Sequence, residues 1–159
     1  MPTGAEASSP RMQLFPIDAH GATAAPIAAA DAVVAGVIAA TVTLYARKGH
    51  HPPWLGYLAV EDGLCVGTCG FAGPPAGGEV EIAYFAFPAH EGRGVATRMA
   101  RELMRISRPA VDDGGLAFIA HTLPLEGPST AILRKLGFAL EGEITHPEDG
   151  RIWKWRAAR

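Results

Sequence analysis

Cysteine is scarce in this sequence: only Cys65 and Cys69 occur among 159 residues. A disulfide framework would need more of them. The two lie four apart in a stretch that reads as one strand, so about 13 Å of extended chain separates them, out of disulfide reach. They are expected to be free thiols serving as small apolar strand residues, which suits a reducing cytoplasm. Long apolar runs are also missing. No segment reaches the roughly 18 uninterrupted apolar residues of a membrane span. The alanine-rich stretch from Gly21 to Thr41 comes closest, but it carries Asp31, lacks a basic leader and runs into Tyr45-Ala46-Arg47-Lys48. It reads as buried helix and not as a signal peptide. Positive charge is in no excess: 14 Lys and Arg face 16 Asp and Glu, for a net charge of −2. Nucleic-acid binders usually show a basic surplus, so no DNA or RNA partner is expected. Zinc-type spacing is absent as well. There are six histidines, but His50 and His51 are adjacent and their side chains diverge, so no metal site is expected. No internal repeat is visible.

What is present is one domain's worth of ordinary globular chain, with 48% hydrophobic and 19% charged residues. A chain of this size buries roughly 70% of its unfolded surface and needs no staples. Residues 1–10, small, polar and proline-bearing, read as a flexible arm, and 11–159 as a single domain. Residues 11–18 suggest a short strand weakened after Pro16. From Ala22 to Arg47 the pattern predicts two helices, ended by Gly49-His50-His51-Pro52-Pro53. Strands follow at Trp54–Val60 and Leu64–Phe71, joined by a hairpin-type Asp62-Gly63 turn. The longest strand is Glu79–Phe87. A helix is predicted to about Ser107, with Val95, Met99, Leu103 and Ile106 on one face, then a loop over Pro109–Gly115. Leu116–Thr122 reads as a central strand, Pro128–Leu136 as a short helix with Gly137 as its cap, and Phe138–Ile144 and Ile152–Trp155 as final strands. Trp153 and Trp155 share a strand face, as core or as a dimer surface. The expectation is an α+β (mixed α/β) domain: one mostly antiparallel sheet of about seven strands with about four flanking helices.

The chemistry concentrates where the long strand meets Glu91-Gly92-Arg93-Gly94-Val95-Ala96 and a helix begins. A helix N-terminus presents unpaired N–H groups and partial positive charge, which favours phosphate. Glycines let the backbone approach the oxygens, and Arg93 can add a charge-assisted contact. A tight turn that merely needs glycine reads equally well from this loop alone. Other phosphate motifs fail: there is no Walker G-x-x-x-x-G-K-[ST] and no G-x-G-x-x-G after the first strand.

The stretch Gly78–Met104 resembles the acetyl-CoA-binding core of the GNAT superfamily of N-acetyltransferases, whose signature Q/R-x-x-G-x-G/A is matched by Glu91–Ala96 except at its first position. His121–Ser129 followed by Ile132–Phe138, with its K-L-G-F ending, is similar to that family's later motif. The wording is closest to the branch of ribosomal-protein N-terminal acetyltransferases, and the likeness spans roughly Leu55–Trp155. The resemblance implies acetyl-CoA as co-substrate, no metal, and transfer of acetyl to a primary amine, either a peptide N-terminus or a small molecule. It implies that Tyr84, Phe85, Ala86 and Phe87 splay from Leu116–Thr122 and hold the thioester and pantetheine arm. Glu91, Gly92, Arg93, Gly94, Val95, Ala96 and Thr97 would hold the pyrophosphate, and Ser129 with its helix the other wall. A homodimer is the family's common assembly, and a cytoplasmic location goes with the reading.

Three departures stand out. Glu91 replaces Gln or Arg, Glu126 replaces the usual Asn, and Leu133 occupies the place of a tyrosine that protonates the leaving thiolate. Ser129 or solvent is left for that role. An amine with a pKa near 10 is mostly protonated at pH 7, so a base helps, and Glu81 is the candidate. Glu79, Glu81 and Ala83 share one strand face, whereas family members often carry the base at the position of Val80, so the face that Glu81 takes decides its role. Tyr45, His51, Trp54 and His121 are the candidate acceptor-binding residues, with ordinary packing as the alternative for each. The competing reading of the whole chain is a non-catalytic domain that binds or senses acyl-CoA.

Overall fold

A computed structural model describes residues 11–28 and 31–158; the expected arm, residues 1–10, lies outside them. The chain forms β1 (Met12–Pro16), α1 (Ala32–Lys48), β2 (Gly56–Glu61), β3 (Leu64–Phe71), β4 (Glu79–Ala86), a 3-10 turn (Pro88–His90), α2 (Val95–Asp113), β5 (Ala117–Thr122), α3 (Pro128–Lys135), β6 (Phe138–His146) and β7 (Gly150–Ala157). The strands make one seven-stranded sheet in the order β1-β2-β3-β4-β5-β7-β6. Five neighbouring pairs are antiparallel and β4–β5 is parallel. The mixed α+β architecture is therefore the expected one, with three helices and a 3-10 turn in place of four helices.

The missing helix belongs to the alanine-rich stretch. Residues 22–28 are not helical. The side chain of Asp18 accepts the N–H groups of His20 and Ala22 at 2.8 and 2.9 Å, and Gly21 turns the chain at φ 87°. This local turn competes with helix. The single helix α1 begins only where Asp31 caps it, accepting from the N–H groups of Val33 and Val34 at 3.0 and 3.1 Å.

Helix α2 errs in the other direction. It passes through Pro109 and ends at Asp113 before Gly114-Gly115, where a loop was expected. Proline removes one helical hydrogen bond, but the buried face continues past it. Val95, Met99, Leu103, Ser107 and Val111 recur every four residues and all are buried. The Ser107 hydroxyl donates to the Leu103 carbonyl at 2.6 Å, so even its polar atom is satisfied. Packing of this stripe outweighs propensity, since each fully buried Leu or Met side chain contributes about 1.5–3 kcal/mol.

The sheet has apolar side chains on both faces. Tyr57, Ala59, Val80, Ile82, Phe118, Ala120 and Trp155 join Met99 and Leu103 of α2 in the larger cluster. Leu58, Val60 and Phe87 join Ile17 and Val34 in the smaller one. Gly67 lets α2 close on the sheet: a Cβ there would meet the Phe85 carbonyl at 2.7 Å and Met99 Sδ at 2.8 Å. The Asp62-Gly63 hairpin turn forms as expected, with φ of 51° and 77°. Cys65 and Cys69 are free thiols, and burial pushes both thiol pKa values up. Trp155 is core, its indole N–H donating to Thr122 Oγ1 at 3.0 Å.

Candidate active site

The site begins at a fault in the sheet. On one side β4 pairs with β3 from Ile82 to Ala86. On the other it pairs with β5 only over Glu79–Glu81, opposite Ala117–Ile119. Beyond that point β5 follows β7 instead, pairing Ile119–Thr122 with Trp153–Arg156. The two strands part, and the edge of β4 from Ile82 onward has no strand beside it.

A cleft of about 790 Å³ occupies this opening. One wall is Tyr84, Phe85 and Ala86 of β4. The floor is Glu91, Gly92, Gly94, Val95, Ala96 and Thr97, with His90. The far wall is Pro128, Ser129, Ala131, Ile132 and Lys135 of α3. The chain turns into α2 through two left-handed positions, Gly92 at φ 74° and Gly94 at φ 76°. Side chains rarely adopt that conformation. The first-turn amides of α2 have no carbonyl one turn back to pair with, so they are free to meet an anion.

The loop is clamped from behind. Arg98 donates to the Arg93 carbonyl at 2.8 Å and, through Nε and Nη2, to both carboxylate oxygens of Glu61 at 2.6 and 2.9 Å. Glu61 is 6% exposed. Its hydrogen bond raises the Arg98 pKa further above an ordinary guanidinium. The bidentate grip fixes the guanidinium, and the guanidinium fixes the loop. Two expected cofactor residues lie outside the cleft lining: Arg93, exposed on the loop, and Phe87, buried in the smaller cluster.

Glu126 does not cap α3. Its carboxylate accepts from Thr130 Oγ1 at 2.7 Å and from Arg134 at 2.5 and 2.8 Å. Those bonds, Arg134 first, hold its pKa down at about 2. The amide of Gly127 instead donates to Thr130 Oγ1 at 3.0 Å. Leu133 is fully buried.

A second pocket, about 620 Å³, opens across β4 from the cleft. Its walls come from Thr41, Leu44, Arg47 and Lys48 of α1, from Gly56 and Thr68–Ala72, from Glu81 and Ala83–Phe85, and from His146–Asp149. Arg47 bridges to Glu148 at 3.1 Å, closing α1 against the β6–β7 turn. Glu81 faces this side. Val80 is 1% exposed within the core, and the β4 pairings show no register shift. Tyr45, His51 and Trp54 lie outside the pocket lining. Tyr45 Oη donates to the Ile17 carbonyl at 2.8 Å and accepts from the Gly56 amide at 2.9 Å. The Trp54 ring meets Phe71 edge-on at 5.0 Å. His51 is exposed.

Between the two cavities is a slot of about 140 Å³ whose lining includes Glu81, Tyr84, His121, Thr122 and Ser129. Here His121 Nδ1 lies 3.1 Å from Glu81 Oε2. Tyr84 Oη reaches toward the Ser129 carbonyl at 3.5 Å, and burial pushes its pKa up to about 12. Sequence reasoning named Glu81, Tyr84, Ser129 and His121 singly; the structure brings all four to one slot. It missed the Glu61–Arg98 clamp, for which nothing in the sequence signals a pair 37 residues apart. It gave the helix after Ser129 as the far wall without naming Ile132 and Lys135, which the i, i+3, i+6 progression from Ser129 along α3 could have flagged.

A sheet that parts at its parallel strand pair, with a glycine loop feeding a helix beside the gap, is the architecture of an acyltransferase domain. The model of the acetyltransferase (GNAT) domain family matches residues 9–139, and the chain belongs to that family. It is an acetyl-CoA-dependent acetyltransferase. Solved structures with the same fold include an apo form of RimL, a ribosomal L7/L12 alpha-N-protein acetyltransferase. That match has a TM-score of 0.65 at 18% identity, over 94% of this chain and 93% of that one. The microcin C7 self-immunity acetyltransferase MccE in complex with acetyl-CoA and AMP has a TM-score of 0.61 at 16% identity, over 80% and 71%. An acetyltransferase from Salmonella typhimurium that modifies the N-terminal serine of L7/L12 has 0.59 at 17%, over 78% and 72%. Comparison with curated protein sequences returns no match. Among the described residues no helix is long and apolar enough to cross a membrane, and no group of side chains is arranged to hold a metal ion.

Proposed function

We propose that the chain transfers the acetyl group of acetyl-CoA to a primary amine by direct attack on the thioester. The observation that carries this reading is the slot, where a carboxylate and an imidazole meet the cofactor cleft at the point where the sheet parts. In the proposed complex the pyrophosphate rests on the amides of Gly92–Thr97, with Arg93 free to swing onto it. The pantetheine runs along Tyr84–Ala86 and Ser129 lines its other side. Backbone N–H groups of β4 near Tyr84 meet the thioester oxygen, where negative charge develops in the transition state.

The amine enters from the pocket across β4. Tyr45 supports that pocket by fixing Gly56, Trp54 by packing on Phe71, and His51 by bracing the loop before Trp54. The neutral amine attacks the carbonyl carbon, the C–S bond breaks, and the departing sulfur takes a proton from the Ser129 hydroxyl or from water. Glu81 draws off the one proton that the amine nitrogen sheds, through water or a neighbouring side chain, and solvent restores the Ser129 proton. A peptide N-terminus and a small-molecule amine both fit a pocket of this size, and residues 11–159 form the catalytic domain. The test is calorimetry with acetyl-CoA followed by an amine panel scored for released thiol. Micromolar binding with turnover on at least one amine supports the reading, and no binding to acetyl-CoA overturns it.

A further inference from the structure

Glu81 is not alone at the slot, and its neighbour makes a sharper assignment possible. His121 Nδ1 lies 3.1 Å from Glu81 Oε2. A carboxylate that close favours the tautomer with the proton on Nδ1. In the neutral ring, Nε2 is then a bare acceptor. Nε2 is buried and has no hydrogen-bond partner among the described residues. An orphaned buried acceptor costs about 1–3 kcal/mol, which a fold carries where a ligand or a water supplies the donor.

Among the described residues, the polar neighbours on the adjoining strands have partners of their own. The Cα register partner on β7 is Lys154, whose ammonium is held by Glu79 at 2.8 Å. On β6 the His146 ring is 6.0 Å away, and its own Nδ1 accepts from the amides of Glu148 and Asp149. Tyr84 on β4 reaches toward Ser129.

We infer that His121 is the proton acceptor of the acetyl transfer and that Glu81 is the positioning residue that fixes its tautomer. The inference rests on the amine-acetylation reading and deepens it. An imidazole is better matched than a carboxylate to take a proton from an ammonium at neutral pH. The arrangement has the logic of a base oriented by a second group. The proton leaves the ammonium for Nε2, directly or through a water, for which the slot has room. The neutral amine then forms the C–N bond as the C–S bond breaks. The second amine proton and the thiolate's proton balance through Ser129 or solvent, and the imidazolium returns its proton to water. The products are one amide, one thiol and one released proton.

The experiment uses two amines of similar size: benzylamine, protonated at neutral pH, and aniline, already neutral. His121→Asn keeps a donor where Nδ1 was and removes Nε2. It should leave acetyl-CoA binding unchanged, lower kcat for benzylamine about 100-fold and barely change aniline turnover. Full benzylamine activity in His121→Asn, or an equal loss with both amines, would overturn the assignment. Nitrogen NMR of the wild-type protein with acetyl-CoA bound decides where turnover is slow. A proton on Nδ1 and a bare Nε2, with that preference lost in Glu81→Gln, support the dyad, and a proton fixed on Nε2 removes it. Failure of wild-type protein to bind acetyl-CoA would instead sink the reading beneath.

Discussion

The two sides of β4 are built in different ways. The proposed cofactor side is short-range and rests on a glycine turn: the strand end, the glycine loop and the start of α2 follow one another from Tyr84 to Thr97, with one face of α3 opposite. The proposed acceptor side is assembled from residues of α1, the middle strands and the β6–β7 turn, spread from Thr41 to Asp149. A wall of main-chain amides suits a ligand that never varies. A wall of side chains drawn from distant segments can be changed residue by residue without disturbing the first.

The largest expected effect tests the backbone wall. Arg93→Glu with Gly94→Trp places negative charge and a bulky left-handed residue in the loop. Acetyl-CoA affinity should fall more than about 100-fold, or roughly 2.7 kcal/mol, in calorimetry, and the single Arg93→Glu variant, which leaves the Gly94 turn unstrained, should lose part of that affinity with the thermal midpoint of the apo protein little changed. Unchanged affinity would remove the phosphate site from this loop. Next is Leu133→Ala, which should cost about 2–5 kcal/mol in denaturant unfolding because Leu133 is fully buried. A near-neutral result would mean that α3 is held by something other than its core contact. Glu61→Gln leaves Arg98 without its counter-charge. A loss of about 2–3 kcal/mol is expected, reduced from the value for a fully buried pair because Arg98 keeps a solvent-facing share. Acetyl-CoA should bind about tenfold more weakly, since the loop carbonyl loses a fixed partner.

The acceptor wall should respond more gently. Arg47→Ala should alter the acceptor's KM and leave acetyl-CoA binding alone, with at most about 1 kcal/mol of stability at stake, because both partners of the ion pair are exposed. The smallest effect is a dependence on pH. Glu126 titrates near 2 in the folded chain, below its ordinary unfolded value. Its contribution is therefore complete above the unfolded pKa and is lost as pH falls toward about 2. Glu126→Gln should be less stable than wild type at neutral pH, and the two melting curves should converge in acid. A gap that persists at the lowest pH would show that the role of Glu126 is not electrostatic.

How much was legible follows the same division. The loop was readable because left-handed turns demand glycine at Gly92 and Gly94, and the hairpin at Asp62-Gly63 for the same reason. The sheet's strands were readable from their alternation. Glu81's face was settled only by seeing Val80 in the core. The proximity of Glu81 to His121 depends on which strands become neighbours, and nothing local encodes that. A second helix was expected ahead of α1 because alanine favours helix wherever the Asp18 side chain and Gly21 do not intervene. Helix α2 was cut short because proline is a local signal, whereas the buried Val111 that outweighs it is a tertiary one.

The short β4–β5 pairing has a consequence for the life of the molecule. Three residue pairs hold the two halves of the sheet together on that line, and beyond them the edge of β4 has no strand beside it on that side. A bound pantetheine would fill that seam as a surrogate strand. A ligand at 100 times its Kd stabilises the folded state by about 2.7 kcal/mol. The lifetime of this protein would then rise and fall with the supply of acetyl-CoA, making its resistance to proteolysis a record of the cell's acetyl reserves.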